Sequence, residues 1–258
     1  MNISYMVRAA ACLVCFLSAP AQADIMIAST RAIYPAQDRE ITVKLTNTQK
    51  TSPRLVQTWI DDGGADKPPE QIDVPFAITP PIFRMDAGKS QSLRIVYTKE
   101  DGLHKTLPAD KESVFWLNVF SVPPTEKGAE EESGVRFAFR TRIKLFFRPE
   151  NLPGRVEDSA RNLQWTLMKD GADATLEVHN PGAYHVSFAS VAVALDGKEI
   201  ATESKQMLAP GATERLVLKS LSAAPGAKTE VRFETIDDLG YTVPHTAKDV
   251  VMTAGGRD

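Results

Sequence analysis

An all-β chain of two sandwich domains is what the sequence predicts, on three grounds. Apolar and polar residues alternate in short runs from end to end, among them Ile41-Val43-Leu45, Leu93-Ile95-Tyr97, Phe115-Leu117-Val119, Leu163-Trp165-Leu167 and Val191-Val193-Leu195; this is the period of a strand with one buried face. Asp-Gly pairs at 62–63, 101–102, 170–171 and 196–197 lie at or near the ends of such runs, where hairpin turns need residues that tolerate positive φ. Two prolines and a glycine in Arg148-Pro149-Glu150-Asn151-Leu152-Pro153-Gly154 then break the series in the middle. No apolar set at helical spacing is sustained long enough for a major helix.

Taken in order, the chain opens on Arg8, an apolar run from Ala9 to Ser18, and Ala21-Gln22-Ala23, the arrangement of a cleaved secretory signal over residues 1–23. The apolar run is too short to span a bilayer, so no membrane insertion is expected, and the mature chain starts at Asp24. Both cysteines, Cys12 and Cys15, fall in the discarded segment, which leaves a secreted chain of about 235 residues with no disulfide and only its cores to stabilise it. The Pro/Gly break divides it into residues 24–149 and 150–258. Each part suits about seven short strands, the pattern of an immunoglobulin-like β-sandwich without the cysteine pair.

The segment Gly134–Pro149 departs from an ordinary sandwich strand. Val135, Phe137, Phe139, Thr141, Ile143, Leu145 and Phe147 share one parity and Arg136, Ala138, Arg140, Arg142, Lys144, Phe146 and Arg148 the other, a 13-residue alternation spanning roughly 43 Å at about 3.3 Å per residue. Part of such a strand projects beyond its own sheet. An apolar strand edge without acidic residues invites aggregation unless something is meant to pair with it, so strand addition is one reading, a central strand with a solvated even face the other. The polar, acidic loop Thr125–Ser133 feeds directly into it.

Catalytic patterns are missing: there is no nucleophile elbow, no phosphate-binding glycine loop and, after cleavage, no thiol. His104, His179, His185 and His245 are scattered and read as surface or turn residues, with no metal or cofactor implied. Asp61-Asp62-Gly63-Gly64-Ala65-Asp66 reads as a hairpin turn, since Ile72 stands where a calcium loop needs its bidentate Glu. The mature chain has 29 basic and 33 acidic residues, net −4, and gives no case for nucleic acid or an anionic membrane.

Five segments of the first domain, in order, resemble the periplasmic chaperones of the chaperone/usher pilus-assembly pathway: Ser29-Thr30-Arg31-Ala32-Ile33, Leu55-Val56-Gln57-Thr58-Trp59-Ile60, Thr79-Pro80-Pro81-Ile82-Phe83-Arg84-Met85, Glu112-Ser113-Val114-Phe115-Trp116-Leu117-Asn118 with Val122-Pro123-Pro124, and Thr141–Pro149. Weaker echoes follow in Asn180-Pro181, Met207-Leu208-Ala209-Pro210 and Ile236-Asp237-Asp238-Leu239-Gly240. The resemblance implies two immunoglobulin-like domains in a boomerang around a cleft. It also implies pilus or fimbrial subunits and an outer-membrane usher as partners, the periplasm as compartment and no enzymatic activity. It maps Val135, Phe137 and Phe139 onto the residues that fill a subunit's open groove, and Arg31 and Lys144 onto the pair that binds the subunit's C-terminal carboxylate in a solvent-reached cleft. Glu112, Arg148 and Asp238 map onto an interdomain charge network. Phenylalanines at 137 and 139 exceed the aliphatic residues common there and imply a roomier groove or a shifted register. An uncapped edge leaves self-association open. The rival reading is a secreted two-domain immunoglobulin-like adhesin or structural module, which needs neither Arg31 nor Lys144 in a cleft.

Overall fold

The computed structural model describes residues 24–98, 106–124, 136–170, 173–195, 198–202, 207–219, 221, 224 and 226–254. Residues 1–23, read above as a secretory signal, Val135 and the loop Thr125–Ser133 lie outside the described residues. Strands β1 (Ile25–Ile27), β2 (Arg31–Pro35), β3 (Ile41–Asn47), β4 (Arg54–Asp61), β5 (Phe76–Thr79), β6 (Ile82–Met85), β7 (Ser90–Tyr97), β8 (Ser113–Val122) and β9 (Phe139–Arg148) build one sandwich. Its sheets run β1-β3-β7-β5 and β2-β9-β8-β4-β6. The first edge of the chain is shared between them, because β1 pairs antiparallel with β3 while β2 crosses over to pair parallel with β9.

Alternation explains the core. Val43 and Leu45 of β3, Leu93 and Ile95 of β7, Leu117 and Val119 of β8, and Ile143, Leu145 and Phe147 of β9 all point between the sheets. Each such side chain contributes about 1.5–3 kcal/mol when fully buried. One end is closed by Tyr34, Phe76, Tyr97, Phe115 and Phe147, with Tyr97 and Phe147 centroids 4.5 Å apart and Phe76 and Phe115 4.9 Å apart. The Tyr34 hydroxyl accepts from the Tyr97 amide (3.0 Å) and donates to the Arg39 carbonyl (3.0 Å), so this polar atom enters the core satisfied.

The second sandwich holds a short helix, α1 (Val156–Ser159), and β10 (Gln164–Asp170), β11 (Asp173–His179), β12 (Val186–Leu195), β13 (Lys198–Ala201), β14 (Met207–Leu208), β15 (Thr213–Leu218), β16 (Lys228–Ile236) and β17 (Thr242–Thr253). β17 joins its two faces by pairing antiparallel with β16 and, at Leu167↔Met252, parallel with β10. Leu167, Leu176, Val178, Val193, Leu218 and Val231 fill its centre. Asn180 pins the turn before β12, donating from Nδ2 to the Tyr184 carbonyl (2.9 Å) and accepting the Gly182 amide on Oδ1 (3.0 Å).

Two expectations are corrected. Asp62-Gly63 closes no hairpin, because the neighbours of β4 are β6 and β8; the pair sits in a turn beyond Asp61, with Gly63 at φ 109°. The long strand begins at Phe139, not Val135, and Arg136–Ala138 precede it without ladder pairing. It does not overhang β8 either: it pairs from Ser113↔Phe147 to Ser121↔Phe139. What it leaves open is its other edge, since β2 covers only Lys144–Arg148 and, among the described residues, no strand lies against Phe139–Ile143. Phe137 and Phe139 are 68% and 56% exposed. Replacing both by Ser is therefore expected to change the unfolding free energy by no more than about 1 kcal/mol, while Leu145→Ala costs about 2–5 kcal/mol; urea unfolding of the two variants checks this.

Candidate functional site

The site lies where the two sandwiches meet, at the point where β2 begins. Parallel pairing sets Arg31 directly beside Lys144, on the β9 face turned away from the first core. The same parity carries Phe146 and Arg148, and the second sandwich covers all four. Phe146, an apolar residue on what reads as the polar face, is buried with its ring 5.5 Å from that of His185.

The two cations are neighbours on adjacent strands, and both are partly desolvated. Lys144 Nζ donates to Ser187 Oγ of β12 (3.0 Å), and Arg31 Nη1 donates to the Ile236 carbonyl at the end of β16 (2.8 Å). Arg31 is only 7% exposed, which corrects the expectation of a solvent-reached side chain: its guanidinium ties the domains together and lies 5.9 Å from the Phe146 ring. Its Nε is buried with no partner. Among the described residues neither cation is in ion-pair contact with a carboxylate. Burial, and then the neighbouring Arg31 charge, push Lys144 down to about 8. Burial also lowers Arg31, although Asp238, Asp237 and Glu112 act in the opposite direction from farther away. The chemistry of two desolvated cations with an unpartnered donor on one of them suits an anion.

Arg148, four residues along the same strand, is the opposite case. Nε and Nη2 donate to Glu112 Oε1 (3.0 and 2.9 Å), and Nη1 and Nη2 donate to Asp238 Oδ2 and Oδ1 (2.8 and 3.1 Å). Burial works against its charge, but these bonds outweigh burial and raise its pKa above the ordinary arginine value. The guanidinium also lies over the Tyr184 ring at 5.3 Å. Glu112, just before β8, is held mostly by the second sandwich: its Oε2 accepts from the His185 amide (3.0 Å) and from His185 Nδ1 (2.9 Å), and its own amide donates to the Ala183 carbonyl (2.9 Å).

His185 is the functional residue that sequence reasoning missed. It is buried at the junction, not a surface histidine, and nothing in Tyr184-His185-Val186 distinguishes the two. His179, by contrast, lies on β11 and pairs with Thr213 Oγ1 (3.0 Å). Gly240 is the other: at φ 89° it turns the β16–β17 connection so tightly that a Cβ would stand 2.5 Å from Thr30 Oγ1 of the first sandwich. Beside these contacts lies a cavity of about 300 Å³ lined by Arg31, Phe146, His185, Val186, Ile236 and Leu239 among others.

Fold and junction define a two-domain assembly chaperone, and the comparisons agree. Residues 24–153 match the model of the pili and flagellar-assembly chaperone, PapD N-terminal domain, and residues 158–247 that of the pili assembly chaperone PapD, C-terminal domain. The chain belongs to this family of pilus-assembly chaperones. It is 41% identical over 232 residues to the chaperone protein FimB/FhaD of Bordetella pertussis, covering 90% of each chain, and 38% identical over 229 residues to the probable fimbrial chaperone YadV of Escherichia coli, covering 88% of this chain and 90% of that protein. The crystal structure of YadV chaperone superposes with a TM-score of 0.73 at 36% identity, over 88% of this chain and all of that one. The SafB chaperone in complex with SafA pilin, from Salmonella enterica, matches at a TM-score of 0.67 and 28% identity, over 89% of this chain and 98% of that chain.

Removing one partner of a buried charge network strands the others. Arg148→Leu, which leaves Glu112 and Asp238 facing each other, is expected to cost about 3–5 kcal/mol, and Asp238→Asn, at a partly exposed carboxylate, less. Urea unfolding of both variants tests that order.

Proposed function

We propose that the chain is a periplasmic, ATP-independent and non-enzymatic chaperone that completes the sandwich of a pilus subunit with its own β9 and passes the subunit to an outer-membrane usher. Residues 1–23 are its export signal, 24–149 the subunit-holding domain and 150–258 the domain that closes the cleft. The observation that carries the reading is where β2 stops. An incoming strand that runs parallel to β9 along the open edge Phe139–Ile143 meets the start of β2 at the Arg31↔Lys144 pair. A chain that ends there places its terminal carboxylate against the two cations whose charges lack an ion-pair partner. The open edge supplies ladder hydrogen bonds and the exposed Phe137 and Phe139 supply apolar area, which is strand addition with side chains filling alternate pockets; Val135 is assigned to the same groove-filling set. Glu112, Arg148 and Asp238 hold the angle of the cleft.

Lys144 is the cleaner position for a test, since Arg31 also bonds the Ile236 carbonyl. Lys144→Met is expected to weaken subunit binding about tenfold to a hundredfold, the range of a hydrogen bond to a charged group at about 1.5–3 kcal/mol, with the thermal midpoint unchanged or raised. Unchanged affinity, measured by titration against a purified subunit, overturns the anchor.

The depressed Lys144 pKa gives a second, independent check. In the free protein Lys144 loses its proton from about pH 8, and a bound carboxylate restores it, so binding takes up a proton above that pH. Affinity is expected to fall from about pH 8 upward by up to about tenfold per pH unit, and Lys144→Arg is expected to flatten the profile. Stability of the free protein runs the other way. The folded pKa of about 8 lies below the ordinary 10.5, so the unfolded chain binds more protons between these values and folding gains as pH rises through that window.

A further inference from the structure

The open half of β9 presents a physical problem. Among the described residues one of its edges is unpaired, and of its odd-parity side chains Phe139 and Thr141 are exposed, so that only Ile143, at the inner end, reaches the core. Over Phe139–Arg142 backbone pairing with β8 is therefore all that the core-facing side and the open edge offer, yet a strand that receives another strand must already be extended and in register.

The outer face supplies the missing hold. Asp61, the last residue of β4, is fully buried although it lies two strands away from β9, roughly 10 Å at about 4.8 Å per step. Arg142 reaches it across β8 with both ends of its fork: Nε donates to Oδ2 at 3.1 Å and Nη2 makes a close contact with Oδ1. Asn118 of β8 donates to Oδ2 (2.7 Å) and the Gly63 amide to Oδ1 (2.8 Å). Arg140 braces the same cluster, with Nε on Asn118 Oδ1 (2.9 Å), Nη1 on the Ala65 carbonyl (2.6 Å) and Nη2 at 3.5 Å from Asp61 Oδ2. Both guanidiniums lie over indoles, Arg140 over Trp59 at 4.9 Å and Arg142 over Trp116 at 5.1 Å. Burial alone would raise the Asp61 pKa, but the bonds from Arg142, Asn118 and Gly63 hold it below the usual carboxylate range, so the centre stays ionised. Only arginine combines the reach, the fork and a flat face that stacks.

We infer that Asp61, with Arg140 and Arg142, is a strap that pre-forms the subunit-receiving half of β9, fixing residues Phe139–Arg142 from the outer face so that the other edge and the phenylalanines stay free for the partner. The three are positioning residues: none faces the edge or the parity that a subunit would meet. The inference rests on the reading of β9 as the receiving strand, but its first test does not.

In the free wild-type protein the backbone amides of Phe139–Arg142 that bond β8 are expected to exchange hydrogen well below unfolded-chain rates, while those that face the open edge exchange freely. Arg140→Met, which leaves Asp61 paired with Arg142, Asn118 and Gly63, is expected to speed exchange of the β8-bonded amides at least tenfold while Leu117 and Leu145 keep wild-type protection, and to slow association with a purified subunit about tenfold with little change in dissociation. Asp61→Asn, of the same size, is read the same way should the first variant fold poorly. Unprotected β8-bonded amides in Phe139–Arg142 of the wild type overturn the strap, as does faster exchange spread evenly over the whole sandwich. If the amides respond as expected and association does not, the strap stands as a structural brace and its part in subunit capture falls.

Discussion

An unpaired backbone edge on an otherwise finished sandwich is the constraint around which the rest of the molecule is arranged. Exposed N–H and C=O groups beside bulky apolar side chains are an aggregation hazard in a free protein, and the usual remedies, a covering strand or a bulge, would abolish the site. Here the same strand is sealed over Lys144–Arg148 by β2, tied through the outer face by Asp61 and, among the described residues, left bare over Phe139–Ile143. The stretch that is open is short, and its C-terminal flank is anchored in the first core by Ile143, Leu145 and Phe147.

Charge is distributed along β9 in the same graded way. Arg140 and Arg142 share the one carboxylate of Asp61, and Arg148 pairs with both Glu112 and Asp238; each cluster is dense enough in hydrogen bonds to bear partial burial. Lys144, between them, and Arg31 beside it have no such compensation. Burial of Lys144 and the buried, unpartnered Nε of Arg31 leave unused capacity for an anion, the basis of the anchor proposed above. The neighbouring networks and the Arg31 bond to the Ile236 carbonyl hold the strand and the junction around the uncompensated pair.

The domain junction shows why fold and site cannot be separated in this chain. Glu112 belongs to the first sandwich by sequence but accepts from His185, while Gly240 of the second fits against Thr30 of the first only because it lacks a Cβ. These contacts hold the second sandwich beside the strands that carry Arg31 and Lys144, whose own partners in it are the Ile236 carbonyl and Ser187.

Period-2 patterning determined the fold class, the strand list and the parity that sends Ile143, Leu145 and Phe147 into the core, because alternation is a local property of an extended chain. It also marked the segment as unusual, since a 13-residue alternation is longer than an ordinary sandwich strand, but whether its edge is open or covered stayed undecided on pattern alone. Resemblance picked out the positions Arg31, Lys144, Glu112, Arg148 and Asp238, but whether each is wet, buried or paired was not in the sequence. Tertiary structure decided that Phe146 and His185 are buried at the junction, that Arg31 is a domain tie as well as a cation, that the strand starts at Phe139, and that Asp61 closes onto Arg142 across an intervening strand. All of these depend on which strands become neighbours and on how one sandwich leans on the other, and the periodicity of a single strand carries no information about its neighbours.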